Sequence, residues 1–253
     1  MQGIKRLIEN NPEILKVHSL DPEKNERRFR YEAGLRYDKV EELARGFISW
    51  ALKIPSWRID SSTRGKMFDV GKNASKEYDV NLQEIERLFS DVLSKYMRGG
   101  LLGFYISGLC KYLMKDKDTL KLDLRKYPAS ISGLGYRHSC GRLEVTGNKA
   151  YYLGMKMEGG EIVVKGNVGN YLGKSMKGGC IIVEGDAKNW VGEKMQGGLI
   201  LIKGNAGNII GEKMTGGEIN IKGDAGYWIG EDATGGMIRL KDYNFNKSTD
   251  FFG

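Results

Sequence analysis

The stretch GGLILIKGNAGNIIGEKMT (Gly197–Thr215) decides the fold. Its opening Gly-Gly pair recurs at Gly159-Gly160, Gly178-Gly179, Gly216-Gly217 and Gly235-Gly236, a step of 19 residues each time. A constant step of that size marks stacked repeats, each burying its apolar face against its neighbours. The repeats align into columns. One column holds Leu143, Ile162, Ile181, Ile200, Ile219 and Ile238; two residues later come Val145, Val164, Val183, Ile202, Ile221 and Leu240. Apolar residues two apart share one face of a strand, here the inside. Gly147-Asn148, Gly166-Asn167, Gly185-Asp186, Gly204-Asn205 and Gly223-Asp224 follow, residues that tolerate a corner. A second inward position is Leu153, Leu172, Val191, Ile210 and Ile229, each before a glycine. A methionine column, Met157, Met176, Met195 and Met214, ends in Ala233. Methionine stacked coil on coil fills a solenoid interior, which is a better use of it here than soft-metal binding.

Helix-bearing repeats are longer than this unit, and the L-x-x-L-x-L frame of leucine-rich repeats is absent. The hexapeptide helix needs a step divisible by six. A parallel β-helix remains, with coils about 4.8 Å apart. Six coils run from about Gly141, and a degenerate earlier one, through Leu122–Leu124 and Leu134-Gly135, would make seven.

The run GGEIVVKGNVGNYLGKSMKGG (Gly159–Gly179) and its near-copies resemble the glycine-rich C-terminal domain of the glutamate synthase large subunit. They resemble the β-helix subunit of formylmethanofuran dehydrogenase still more closely. The resemblance covers about residues 122–241 and implies a right-handed parallel β-helix. It also implies a structural and assembly role without catalytic residues, beside a multi-subunit redox or amidotransferase-type enzyme.

The reading is therefore an α+β chain of two domains. A mainly helical domain (1–120) precedes a right-handed parallel β-helix of 19-residue coils (121–241) and a capping tail (242–253). In the first part, Gly3–Val17, Tyr37–Leu52, Asn81–Met97 and Leu101–Met114 carry helical periodicity. Ile59–Lys76, rich in Ser, Gly and Lys, reads as a polar loop. The helical domain is expected to cover the open end or one flank of the β-helix. Tyr243, Phe245, Phe251 and Phe252 are expected to fold back over the other end.

The net charge of +8 is spread over both parts, +5 in the first 121 residues and +3 in the rest, a weak bias toward acidic partners. Three scattered cysteines, Cys110, Cys140 and Cys180, form neither a disulfide framework nor a zinc pattern. The polar start, Met1–Pro12, predicts no signal peptide, and the longest apolar stretch is too short to span a bilayer. A cytoplasmic protein with no cofactor, no metal and no membrane partner is expected.

Candidate sites follow from outward columns. The middle strand column reads Glu144, Val163, Ile182, Leu201, Asn220 and Arg239, apolar at its centre and polar at its ends. Such a patch suits a protein partner, self-association or the chain's own N-terminal helices. Beside the inward aliphatics runs an aromatic column, Tyr152, Tyr171, Trp190, Ile209 and Trp228. It suits a protein interface, stacking of nucleic-acid bases, or a self-supporting ring ladder. Arg27, Arg28, Phe29, Arg30 and Tyr31 interleave cations with rings and carry the best nucleic-acid signal. The corner Asn and Asp residues are too poor in carboxylates for calcium coils and read as turn chemistry. The repeated G-x-x-G-x-x-x-G precedes no helix and implies no dinucleotide. His138 and Cys140 lie close in sequence, but a nucleophilic pair lacks an orienting group.

The expected function is a non-catalytic scaffold. The alternatives are a nucleic-acid-binding accessory protein using Arg27–Tyr31, and an enzyme with a site between the domains closed by the Ser61–Lys76 loop.

Overall fold

In a computed structural model, residues 60–77, 80–89, 100–125, 127, 130–148 and 150–241 are described, together with the backbone of 244–246. The repeats form a parallel β-solenoid. Strands β1 (Thr119–Asp123), β3 (Arg142–Thr146), β5 (Glu161–Lys165), β6 (Cys180–Val183), β7 (Leu199–Ile202), β8 (Thr215–Ile221) and β9 (Gly235–Arg239) pair in that order in one sheet. Six turns of chain separate these seven parallel strands. The register keeps each apolar column intact: Leu143 faces Ile162, which faces Ile181, then Ile200, Ile219 and Ile238.

The degenerate first coil exists. Thr119 pairs with Arg142, a step of 23 residues where the others take 19, and Leu120, Leu122 and Leu124 are buried. The second inward column and the methionine column lie in the core, apart from Ile229, which is only partly buried at its edge. A second wall is thinner. It starts with β2 (Ile131–Ser132) pairing β4 (Ala150–Tyr151) and continues as single bridges through Val168, Ala187, Ala206 and Ala225.

Three helices are described: α1 (Ser61–Glu77), α2 (Leu82–Arg87) and α3 (Leu102–Leu113). The first corrects the sequence reading, which makes Ile59–Lys76 a polar loop. Asp60 caps α1 by accepting from Thr63 N–H at 2.8 Å and from the Thr63 hydroxyl at 2.9 Å. Met67 and Phe68 are buried in the core. The glycine that reads as loop chemistry is a contact surface instead. A Cβ on Gly71 would overlap the Tyr105 carbonyl, and one on Gly108 would overlap the Phe68 carbonyl. The helices α1 and α3 therefore cross backbone against backbone. An enzyme site closed by a Ser61–Lys76 loop loses its moving part.

Asn81 and Glu84 form a capping box at the start of α2. Glu86 from this helix accepts from Lys121 N–H on β1 at 2.6 Å. Helix α3 lies on the first coil, where a Cβ on Gly103 would meet the backbone of Ser132–Leu134. Ser107 Oγ sits 2.7 Å from the Gly103 carbonyl and 3.0 Å from the Gly133 carbonyl, and it accepts from Tyr136 N–H at 3.1 Å. Phe104 and Phe68 meet Tyr136 edge-on, with ring centroids 5.1 and 5.2 Å away. At the opposite end β10 (Asn244–Asn246) returns antiparallel on β9, Phe245 opposite Ile238. Gly3–Val17, Tyr37–Leu52, Tyr243, Phe251 and Phe252 lie outside the described residues.

Candidate functional site

On each strand of the main sheet the residues between the inward columns point away from the core. In β6 and β7 these are Cys180, Ile182, Leu199 and Leu201, all half-buried. Cys180 lies opposite Leu199, and Ile182 opposite Leu201, so the four make a square. Parallel pairing holds it flat. Ion pairs border it. Arg142 bridges Glu144 and Glu161 on one side, and Arg239 holds Glu218 at 2.8 Å on the other. Lys203 and Glu184 lie 3.8 Å apart along its edge. Val163, expected at the surface, is only 4 % exposed, although it lies outside the core cluster. The patch therefore centres on Ile182 and Leu201. Sequence reasoning names those two and misses Cys180 and Leu199, which share their face by simple alternation. Burial and the neighbouring Glu161 push the Cys180 thiol up, so it serves as an apolar group.

The aromatic column occupies a corner rather than a strand. Tyr152, Tyr171, Trp190, Ile209 and Trp228 all have φ between +50° and +64°. The left-handed backbone recurs at each of these corners, and the rings one coil apart lie flat on one another. Tyr152 and Tyr171 stack at 4.5 Å and 6°, and Tyr171 and Trp190 at 4.9 Å and 14°. Arg64 of α1 closes the stack, its guanidinium 4.3 Å from the Tyr152 ring centre. A base held between two rings needs about 7 Å, two contacts of about 3.5 Å. These three rings leave no such gap, and their half-buried edges are all they offer outward. Beside them Lys174 donates to both carboxylate oxygens of Glu193, at 2.9 and 2.7 Å, and sits 4.9 Å from the Tyr171 ring centre.

The corner Asn and Asp residues make a ladder. Asn148, Asn167, Asp186 and Asn205 each accept, through Oδ1, the backbone N–H one coil further on, at 2.8 Å each. A second ladder runs through Asn170, Asn189 and Asn208, which the sequence reading does not single out. Its 19-residue spacing is as regular as the first, so the signal is present in the sequence. Both ladders use their oxygens on backbone amides. No His, Cys, Asp and Glu grouping with metal-binding geometry occurs among the described residues.

A cavity of about 20 Å³ accessible to a water centre lies between α3 and the first coils, lined by Cys110, Met114, His138 and Cys140. It has room for about one water molecule. His138 Nε2 lies 3.1 Å from the Gly141 carbonyl, and the Cys140 thiol donates to the Met114 carbonyl at 2.9 Å. Each group thus has a backbone partner, and neither activates the other. Burial pushes the Cys110 thiol up to about 12, which keeps it protonated.

Arg27, Arg28, Phe29, Arg30 and Tyr31 lie outside the described residues. No described helix is long and apolar enough to cross a membrane. A scan against protein-family models and a search of curated proteins both return no match.

Proposed function

We propose that this chain is a non-catalytic assembly element that presents the outer face of its β-sheet to a protein partner. The observation that carries the reading is the square of Cys180, Ile182, Leu199 and Leu201, apolar, half-exposed and bordered by ion pairs. That is the anatomy of an interaction patch, an apolar centre within a charged rim. A parallel ladder adds stiffness. Side chains already held in register lose little freedom on binding, so more of the contact energy appears as affinity. The resemblance of the repeats to the glutamate synthase and formylmethanofuran dehydrogenase domains supports the same role. It makes the proposed partner a component of a redox or amidotransferase-type enzyme. The proposal takes the coil as right-handed, the hand that parallel strand connections almost always adopt.

The test compares wild type with Leu201→Asp and Ile182→Asp. Partners are captured from the native host and identified by mass spectrometry, and self-association is followed by sedimentation. The reading expects a specific enzyme component with wild type and its loss from both variants, while circular dichroism stays unchanged. If both variants keep every companion and every oligomeric state of wild type, the face is not a partner surface.

A further inference from the structure

The last coil differs from every coil before it. On the inner coils, outside the main sheet, backbone amides at three recurring positions donate forward to the next coil. Ala187 and Ala206 donate to the Asn205 and Asp224 carbonyls at 2.9 and 2.8 Å. Trp190 and Ile209 donate to Asn208 and Tyr227 at 3.0 and 2.8 Å, and Lys194 and Lys213 donate to Glu212 and Glu231 at 2.7 and 2.8 Å. The corresponding amides of the last coil belong to Ala225, Trp228 and Asp232, and among the described residues no acceptor faces them. The Asn ladder reaches Asp224, whose carboxylate accepts from no backbone amide among the described residues. Strand β10 covers only the other wall, over Met237–Arg239.

Two rings stand at this edge. Tyr227 is 78 % exposed and Trp228 is 60 % exposed. The ring stack stops at Trp190 because the next column member is Ile209, and Trp228 has no stacking partner among the described residues. The segment between Lys222 and Arg239 is acidic. Between Gly223 and Ile238 the only charged side chains are Asp224, Glu231 and Asp232, in a chain of net charge +8. Asp232 is shared with Lys213 at 3.8 Å, while Asp224 and Glu231 have no cation partner among the described residues.

We propose that this corner docks an extended segment of a partner protein bearing lysine or arginine side chains. The segment's carbonyls would take the unpaired amides as an added coil, by β-augmentation. Its cations would lie over Tyr227 and Trp228 and beside the carboxylates. This site is separate from the sheet face of the proposed function and stands without it.

The experiment uses the full chain and a fluorescent peptide of alternating lysine and valine, with an alternating glutamate and valine peptide as control, read by anisotropy. The lysine peptide is expected to bind and the glutamate peptide not to. Trp228→Ser should weaken binding at least about threefold. Ala225→Pro should also weaken it, because it deletes an amide that has no acceptor among the described residues. Leu201→Asp should leave binding unchanged. Equal binding of both peptides overturns the proposal, as does wild-type affinity in both Trp228→Ser and Ala225→Pro. A concentration-dependent dimer of the peptide-free protein that Trp228→Ser abolishes also overturns it, because the occupant is then a second copy of this chain.

Discussion

The two ends of the solenoid are finished by different means. At the first end, α3 lies across the coil, with Ser107 bonded into Gly133 and Tyr136 and Lys111 reaching the Arg137 carbonyl and Glu158. Glu86 of α2 takes up an edge amide of β1. At the last end a three-residue strand covers one wall, and the corner carrying Tyr227 and Trp228 stays in solvent. A terminal coil leaves both apolar side chains and backbone groups without a neighbour. Helices cover the cross-section but need close backbone approach, hence Gly71, Gly103 and Gly108 at the contacts. A single strand satisfies one edge, and the amides of the other have no acceptor among the described residues. The two proposed partner surfaces lie accordingly at the last end and on the flank.

The largest effect is expected midway between the ends, and it sets the scale for both. Ile200→Asp puts an unpaired carboxylate into a fully buried column and should unfold the solenoid, a loss above about 4 kcal/mol in urea titration. Leu201→Asp, one residue away and outward, should retain the β-sheet signal in circular dichroism. The next effect separates the covered end from the rest. Gly108→Ala forces a methyl into the Phe68 carbonyl and should cost about 1–3 kcal/mol or more. Gly65→Ala, with nothing within 4 Å, should gain up to about 1 kcal/mol from helix propensity. Equal responses at the two positions would refute the backbone crossing of α1 and α3. At the last end, Ile209→Tyr should stabilise by about 1 kcal/mol, measured as a raised denaturant midpoint. It would replace a β-branched residue at φ +63° and give Trp190 a stacking partner. An unchanged or lowered midpoint would mean that the stack ends for another reason.

The smallest effect is the pH response of the covered end. His138 is 9 % exposed, and burial lowers its pKa below the ordinary 6.5, with Lys111 nearby acting in the same direction. The folded protein therefore holds this imidazole neutral. Its contribution is intact above about pH 6.5 and is lost as pH falls below that value, because the unfolded chain takes up the proton first. The denaturant midpoint of wild type should drop more between about pH 7.5 and about pH 5.5 than that of His138→Gln. Identical drops would remove His138 from the account.

The repeat half is legible because each column answers to one local rule applied many times. Alternation at Ile200 and Ile202 and a small set of corner residues are visible without knowing what touches what. Even so, the corner hides the geometry of Tyr152, Tyr171 and Trp190. Alternation makes them outward, but neither their left-handed backbone nor the stacking of the rings can be read from it. Helix α1 escapes the sequence reading for a different reason. Gly65 and Gly71 lower helix propensity, and Gly71 is used for a contact whose other half, Tyr105, lies 34 residues further on. The N-cap at Asp60 and the adjacent Met67 and Phe68 are the signals available.

By itself, then, the sequence determined the coil: its length, its inward columns and its ladder residues, since all of these follow from nearest-neighbour spacing along and between copies. Only the tertiary structure decided how the coils begin and end. Which surface stays open depends on pairings between distant, unrepeated segments, α3 on the first coil and β10 on β9, and no periodicity records them.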